Sequence, residues 1–448
     1  MISLKGGSPL PRRILLGAGS AFAVLPRRPS AQARIFPLRI APDRRRLVDS
    51  AGWPFLVHGD TAWSLLAQLR FEDAEFYLQR RSEQRFNTLL VNLIEHKFAS
   101  RAPLNAYGDA PFLRSGDFAA PNDAYFAHVD RVLLRARALG FLVLLAPAYL
   151  GYGGNDEGWY QAMVTAGEDR LLRYGEFIGR RYGGMDNIIW VHGGDYNPPR
   201  RSLVEAVVEG IRKHAPNALH TAHGAPETDA ALFWGGLPWL DLDTLYTYRP
   251  VHTAALRAEN RRPRRPFLLI ESAYENEHGV RADRLRTQAY QAVLGGACGQ
   301  VFGNNPIWHF GTPHARPAPV TWRQALDGRG SRSMEHLLKF FAEVSWAQLV
   351  PVATGAMLAE ASSQSAEPIS AAMTLDRRTA LLHFTEVTPF RVALEGLQGR
   401  RHTARWYDPA NGTYRPAIRL GRSSGRYELP GTNADGAADW ILDIRSYD

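Results

Sequence analysis

Asp195 and Glu271 each follow a short apolar run that reads as a buried parallel strand. Ile188-Ile189-Trp190-Val191 leads into His192-Gly193-Gly194-Asp195, and Pro266-Phe267-Leu268-Leu269-Ile270 leads into Glu271-Ser272-Ala273-Tyr274-Glu275. In a barrel of parallel strands the C-terminal strand ends converge on one pocket. Two carboxylates delivered there from different strands suit cleavage of a glycosidic bond, one as proton donor and one as nucleophile or base. For that chemistry Asp195 needs a raised pKa to keep its proton until donation, while Glu271 stays ionised, assisted by Tyr274 or Arg249. Gly193 and Gly194, lacking Cβ, let the chain bend and a sugar approach. The plainer alternatives are a cap on a helix starting near Pro198-Pro199 for Asp195, and a buried ion pair with an arginine for Glu271.

Other polar and aromatic groups follow other strands. Asp60 and Trp63 read equally as a sugar-hydroxyl acceptor beside an aromatic platform or as a helix cap and a core tryptophan. Asn92, Glu95 and His96 end a second strand, with Glu95 either a third site carboxylate or a surface partner of Lys97. Tyr149 and Tyr152 flank Gly151 in a glycine-rich loop that reads more as exposed loop than as pocket wall. Asn304, Asn305 and Trp308 follow the last strand, where a tryptophan suits the floor of a sugar subsite. With His192, Tyr248 and Tyr274, the candidate substrate-binding set is Asp60, Trp63, Asn92, His192, Tyr248, Tyr274, Asn304 and Trp308. His192, His220, His223 and Asp195 also invite a zinc-hydrolase reading. No second histidine stands two residues beyond His58 and no H-E-x-x-H occurs, so neither metal nor other cofactor is expected. Cys298 lies in an apolar context that does not suit a nucleophile.

These groups need a scaffold, and the apolar runs between residues 50 and 310 supply one. Strands are expected at Phe55–Val57, Asn87–Ile94, Phe141–Ala146, Asn187–Val191, Ala218–Thr221, Thr244–Thr247, Pro266–Ile270 and Gly299–Phe302. Amphipathic helices are expected at Phe71–Gln84, Asp123–Leu139, Trp159–Arg181, Ser202–His214, Ala282–Leu294 and Ser333–Trp346. Eight strands alternating with helices imply a (β/α)8 barrel over residues 34–350, an α/β fold. An open doubly wound sheet is disfavoured, since no G-x-G-x-x-G turn follows an early strand. From 351 to 448 short strands and the turn Asp408-Pro409-Ala410-Asn411-Gly412 imply a small all-β sandwich packed on the barrel.

The chain has 448 residues, one cysteine and a formal charge of +9, of which residues 1–33 supply five basic groups and no acid. The remaining balance is too mild for nucleic acid, though a weak preference for acidic polysaccharide fits. The single cysteine excludes an intrachain disulfide. Within 1–33, Arg12-Arg13 precedes the apolar stretch Ile14–Leu25 and Ala31-Gln32-Ala33, the pattern of an export signal, with the arginine pair suggesting the twin-arginine route. That stretch is too short to span a membrane. A periplasmic or extracellular protein is expected.

Several stretches together resemble the apiosidase-like glycoside hydrolases. They are His58-Gly59-Asp60-Thr61-Ala62-Trp63, Phe86-Asn87-Thr88, Asn122-Asp123-Ala124-Tyr125-Phe126, Asn187 to Asp195, Glu271 to Glu275, and the Trp406-Tyr407-Asp408-Pro409 turn. The resemblance implies an Asp acid/base after the fourth strand and a Glu nucleophile after the seventh, hence Asp195 and Glu271 in a retaining glycosidase. It implies a histidine from the region of strands five and six, where Tyr246-Thr247-Tyr248-Arg249-Pro250 matches less clearly. It suggests a terminal or side-chain bond of a polysaccharide, with a branched pentose such as apiose or another furanoside released. A carbohydrate-binding barrel without catalysis is the alternative. The last hundred residues resemble the β domain that often follows such barrels, labelled collagen-binding. The sequence offers no physical support for that ligand, and a structural partner burying Phe384 or Trp406 between or beneath its sheets is expected.

Overall fold

The structure, a computed structural model, describes residues 35–361, 368–386, 389–421 and 427–448. The expected export segment, residues 1–33, lies outside the described residues. Eight strands form the centre: β1 (Val57–Thr61), β2 (Thr88–Asn92), β3 (Leu142–Ala146), β4 (Ile188–Gly193), β5 (Leu219–His223), β6 (Asp243–Tyr246), β7 (Phe267–Glu271) and β8 (Gly299–Asn304). Their ladders run β5-β4-β3-β2-β1-β8-β7-β6, all parallel. Between β5 and β6 no ladder closes the ring among the described residues, and threonine side chains with a backbone amide bridge the seam instead. Thr221 Oγ1 donates to the Leu242 carbonyl at 2.9 Å, Thr244 Oγ1 donates to the Ala222 carbonyl, and the Asp241 amide donates to the His220 carbonyl at 2.9 Å.

Helices pack outside: α1 (Phe71–Glu83), α2 (Asp123–Ala138), α3 (Glu168–Tyr182), α4 (Ser202–His214), α5 (Val251–Glu259), α6 (Ala282–Leu294) and α7 (Arg329–Glu343). Glu168 and Asp169 open α3 while Arg180 and Arg181 end it, each charge opposing the helix dipole. The single helix expected over Trp159–Arg181 is broken at Gly167 into Tyr160–Ala166 and α3. Only the short helix Ala230–Trp234 follows β5. No helix among the described residues is long and apolar enough to cross a membrane.

Strand alternation sorts the core into two layers. Leu90, Leu142, Leu144, Ile189, Val191, Leu268 and Val301 fill the barrel. Leu89, Val143, Leu145, Trp190 and Phe302 face the helices. One strand lies later than expected. Pro54–Phe55 pairs with Leu47–Val48 in a small antiparallel sheet, whereas His58-Gly59-Asp60 lies inside β1, with Asp60 opposite Phe302 of β8.

The C-terminal part carries one antiparallel sheet of β9 (Leu349–Pro351), β10 (Ser370–Thr374), β11 (Thr379–Phe384), β12 (Arg401–Asp408), β13 (Thr413–Tyr414), β14 (Ile418–Leu420) and β15 (Trp440–Tyr447). A two-stranded sheet, Leu358–Ala361 with Phe390–Val392, makes the sandwich unequal. Alternation again decides what each face meets. Leu382, Phe384, Trp406 and Trp440 form the domain's own core, while Ala372, Leu381, Tyr407 and Ile441 join the barrel's outer layer. Tyr407 lies 4.6 Å, ring to ring, from Phe340 of α7 and donates its hydroxyl to the His336 carbonyl at 2.9 Å. Arg286 of α6, 1% exposed, is gripped by both oxygens of Asp439 at 2.6 and 2.8 Å.

Removing one partner of such a buried pair strands the other charge, at a cost of about 3–5 kcal/mol. Asp439→Asn is therefore expected to lower the melting temperature in calorimetry, and deletion of 351–448 to give an insoluble or thermally weakened barrel. A soluble truncation with an unchanged melting temperature would show that the β domain is an independent module.

Candidate active site

Glu271 reaches the barrel mouth through an irregularity in β7. Leu269 lies opposite Leu245 of β6, but Glu271 lies opposite Tyr246, so Ile270 is an extra residue. Leu245 and Leu269 pack outward with α5, while Tyr246 and Ile270 face the barrel interior. Strict alternation would give Glu271 the outward facing of Leu269; the bulge turns it inward.

Asp195 is placed by the chain break after β4. Gly194 has φ 119°, and a Cβ there would lie 2.3 Å from the Tyr149 ring. Only glycine lets that ring lie on the backbone, from where the Tyr149 hydroxyl donates to Asp195 Oδ2 at 2.6 Å. Asp195 itself has φ 49°, a left-handed conformation that Asp tolerates better than most residues. The other carboxylate oxygen, Oδ1, is buried and has no hydrogen-bond partner among the described residues. Asp195 caps no helix, since α4 starts at Ser202.

His223, the last residue of β5, joins the two carboxylates. One oxygen of Asp195, one of Glu271 and a ring nitrogen of His223 all lie within 4.8 Å of one another. His223 Nε2 stands 2.7 Å from Glu271 Oε2, and its Nδ1 lies 3.3 Å from the Asp195 amide and 3.1 Å from the Gly224 carbonyl. A neutral ring accepts the Asp195 amide at Nδ1, and a charged ring donates there to Gly224. In both states Nε2–H donates to Glu271. Tyr274 hydrogen-bonds the same carboxylate, and Trp63 Nε1 donates to the Tyr274 hydroxyl at 3.3 Å. Gly303 of β8 makes room for Tyr274, because a Cβ there would stand 2.5 Å from its ring.

Burial first, and the Asp195 charge second, push the Glu271 carboxyl up to about 7, against the hydrogen bonds from His223 and Tyr274. Burial pulls His223 down, but its bond to Glu271 and the two carboxylate charges outweigh it and hold the ring above its ordinary value. Tyr149 and Tyr274 are raised well above the usual phenol range, by burial and then by Asp195 and Glu271 respectively, so both remain donors.

The resulting cavity of about 140 Å³ is walled by Trp63, Asn92, Phe98, Tyr149, Glu157, Asp195, Tyr248, Glu271, Tyr274, Glu277 and Trp308. Asn92 Nδ2 donates to Glu95 Oε2 at 3.1 Å, while its buried Oδ1 has no hydrogen-bond partner among the described residues. Glu95 is held beneath by Ser64 and by the amides of residues 96–98, while Lys97 pairs with Asp156 instead. Trp308 Nε1 donates to Glu277 Oε1 at 3.0 Å, and burial raises the Glu277 carboxyl.

Of the residues expected at the site, Asp195, Glu271, Trp63, Asn92, Tyr248, Tyr274 and Trp308 converge on this cavity. Asp60, His192 and Asn304 do not, and one cause covers all three: they share the strand parity of Leu89 and Trp190, which faces the helices. Asp60 is ion-paired with Arg81 of α1 at 2.6 Å, both fully buried. His192 Nε2 meets His220 Nδ1 at 2.9 Å behind the strands. Asn304 donates to Glu275, which in turn accepts the Gly330 amide of α7. Asn305 likewise turns aside, to His309 at 2.8 Å, and Arg249 is exposed beside Glu227 rather than Glu271.

In the sequence Tyr149 stands in a stretch that reads more as exposed loop, and His223 stands out only as a metal ligand; Phe98, Glu157 and Glu277 carry no signal. His223 was legible by parity, because it shares the inward register of Leu219 and Thr221. Asp195, His223 and Glu271 are close enough to hold an ion. The 2.7 Å between Nε2 and Oε2 is a hydrogen-bond length, however, and two ligands on a tetrahedral zinc stand about 3.4 Å apart. The trio as built fits a shared proton better than a metal.

Residues 41–348 match the family model described as "Apiosidase-like, catalytic domain", and residues 352–444 match that of a collagenase domain described as collagen-binding. Among curated proteins no significant match is found. A solved glycoside hydrolase superposes with a TM-score of 0.80 at 22% identity, over 92% of this chain and 97% of the other. A glycoside hydrolase family 5 protein from Bacteroides vulgatus gives 0.80 at 20% identity, covering 92% and 93% of the two chains. A family 5 mannosidase from Rhizomucor miehei gives 0.52 at 14%, covering 70% and 100%. At such identities these likenesses establish the barrel fold alone. The family model spans most of the chain, and the chain therefore belongs to the apiosidase-like family and is a glycosidase.

Proposed function

We propose that this enzyme cleaves a terminal or side-chain glycosidic bond of a polysaccharide with retention of configuration. Asp195 is the acid/base and Glu271 the nucleophile. The observation that carries this reading is the separation of the two carboxylates, within 4.8 Å at the barrel mouth. Retaining pairs stand about 5–5.5 Å apart and inverting pairs about 6.5–9.5 Å. A barrel that only binds sugar has no need of that spacing.

Carboxylates this close take up one proton between them. Two donors, His223 and Tyr274, favour the ionised form of Glu271. Asp195 accepts one, from Tyr149, and its Oδ1 is left without a donor. With substrate bound, that shared proton must sit on Asp195, because from there it reaches the glycosidic oxygen. Donated to the glycosidic oxygen, it lets the leaving group depart as an alcohol while Glu271 bonds to the anomeric carbon. Asp195, now ionised, then takes a proton from water, and that water displaces Glu271 from the sugar. His223 holds the Glu271 carboxylate in place through both halves.

The cavity has room for one sugar ring rather than a chain, which supports terminal or side-chain action. Its wall carries four carboxylates and neither arginine nor lysine, so the ring held there is uncharged. A branched pentose such as apiose fits that description and the family. An adjoining groove of about 510 Å³ shares Tyr248, Tyr274 and Glu277 with it and offers space for the leaving group. His278 and Arg284 stand in that groove, which suits an acidic polymer on the leaving side. The pattern of residues 1–33 supports export to the periplasm or beyond. Recovery of full-length, uncleaved protein solely from the cytoplasm would refute that part.

Unfolded Glu271 releases its proton near 4.5 and the native one near 7, so the folded chain binds more protons between those values. Stability therefore falls as pH rises through that window, by roughly 3 kcal/mol at pH 8. Glu271→Gln removes the charge, and is expected to raise the melting temperature at pH 8 by about 2–5 °C while leaving it unchanged near pH 4. The same variant, and Asp195→Asn, should lose roughly three or more orders of magnitude in turnover on the released-sugar assay. Near-wild-type turnover by either variant would remove its role. A panel of pectic, arabinan and glucan substrates identifies the sugar.

A further inference from the structure

A second polar cavity, of about 340 Å³, shares no residue with the catalytic pocket. It opens where α6 and α7 of the barrel meet the β12–β13 turn and the segment Ala434–Asp435 of the C-terminal domain. Arg286, Arg329 and Arg332 line it from the barrel side, facing a single lining carboxylate, Asp435. Arg286 is neutralised by Asp439, with Asp435 Oδ2 at 3.2 Å from its Nη1. Arg329 has, among the described residues, only the other oxygen of the same Asp435 as ion-pair partner, at 3.1 Å, and is 75% exposed. Arg332 donates to the Asp327 carbonyl and meets no carboxylate among the described residues. The cavity is therefore left with an excess of positive charge.

Two neutral donors complete the lining. The Asn411 side chain is fixed through its oxygen, which accepts from the amide and hydroxyl of Thr413 at 3.1 and 2.7 Å, and its Nδ2 is left as a donor. The His336 ring lies against Gly412, where a Cβ would stand 2.6 Å from Nδ1. Burial first, then Lys339, Arg286 and Arg332, push its pKa down, against the opposing charge of Asp408. Burial is what chiefly keeps this half-buried imidazole uncharged, and the nearby cations act in the same direction.

We propose that this interdomain cavity binds an oxyanion, held by Arg329, Arg332, His336 and Asn411. Planar guanidinium groups match carboxylate, sulfate and phosphate oxygens alike. The volume admits a sugar ring carrying such a group, and a free inorganic oxyanion also satisfies the donors. Donors from both domains would meet on one ligand, so its occupancy would tie the sheet domain to the barrel.

Isothermal calorimetry on the full chain, in the Glu271→Gln background so that no substrate turns over, tests this with galacturonate, glucose, inorganic phosphate and sulfate. Galacturonate binding without glucose binding, together with an upward shift of the His336 titration in NMR, is the expected result. Binding of phosphate or sulfate alone would support the oxyanion site and assign its source to free ions. R329Q and R332Q alter exposed side chains, and each should weaken binding by about tenfold with an unchanged melting temperature. No binding by any of the three anions, or binding that both variants leave intact, would overturn the proposal. The readout is independent of hydrolysis, so its failure leaves the catalytic reading untouched.

Discussion

Two carboxylates within 4.8 Å of each other, walled by buried aromatic rings, repel too strongly for both to stay charged at neutral pH. At an effective dielectric constant of 20 the repulsion is about 3–4 kcal/mol. A hydrogen bond to a charged group returns roughly 1.5–3 kcal/mol, so single donors do not remove it. Retaining one proton does. His223 and Tyr274 spend their donors on Glu271, and Tyr149 alone serves Asp195. The same crowding costs native stability at high pH, as expected where a fold is bent to chemistry.

The barrel meets that demand through departures from regular structure. A regular β7 would aim Glu271 at the helices, and one extra residue, Ile270, turns it inward. A regular β4 would not bring Asp195 round to Tyr149, and the left-handed turn through Gly194 does. The ring tolerates an open ladder between β5 and β6 because threonine side chains and the Asp241 amide bridge it. β5 also ends in His223, so the seam lies beside the histidine that holds the Glu271 carboxylate. Outside, the C-terminal sheet packs against the barrel. Its inward face supplies Tyr407 and Ile441 to the barrel's outer layer, and Asp439 holds Arg286.

Much of this was legible in the sequence because strands and helices carry different periods. The order of eight strands, the helices α4 and α6 to the residue, and the two strand-end carboxylates followed from apolar runs and their polar ends. What failed was facing rather than position. Asp60, His192 and Asn304 are polar groups in the right strands, but on the parity turned to the helices. A polar residue inside a strand is not thereby at its mouth. Asp60 misled further because β1 starts later than its apolar run suggests, since Pro54–Phe55 belongs to a separate small sheet. Tyr149 was undervalued because its role depends on Gly194 lying under the ring. That contact is 45 residues distant in the chain and leaves no local pattern. Glu277, Phe98 and Glu157 sit in loops whose course no periodicity sets.

The most direct measurement is mass spectrometry of the enzyme after reaction with a 2-deoxy-2-fluoro glycoside of the released sugar carrying an activated leaving group. Fluorine at C2 slows hydrolysis of the glycosyl-enzyme and lets it accumulate. A retaining mechanism with Glu271 as nucleophile requires one sugar per chain, in ester linkage to the peptide containing Glu271, and none on Glu271→Gln. Turnover of the unmodified substrate with no label at all, or a label on Asp195 or another residue, would contradict it.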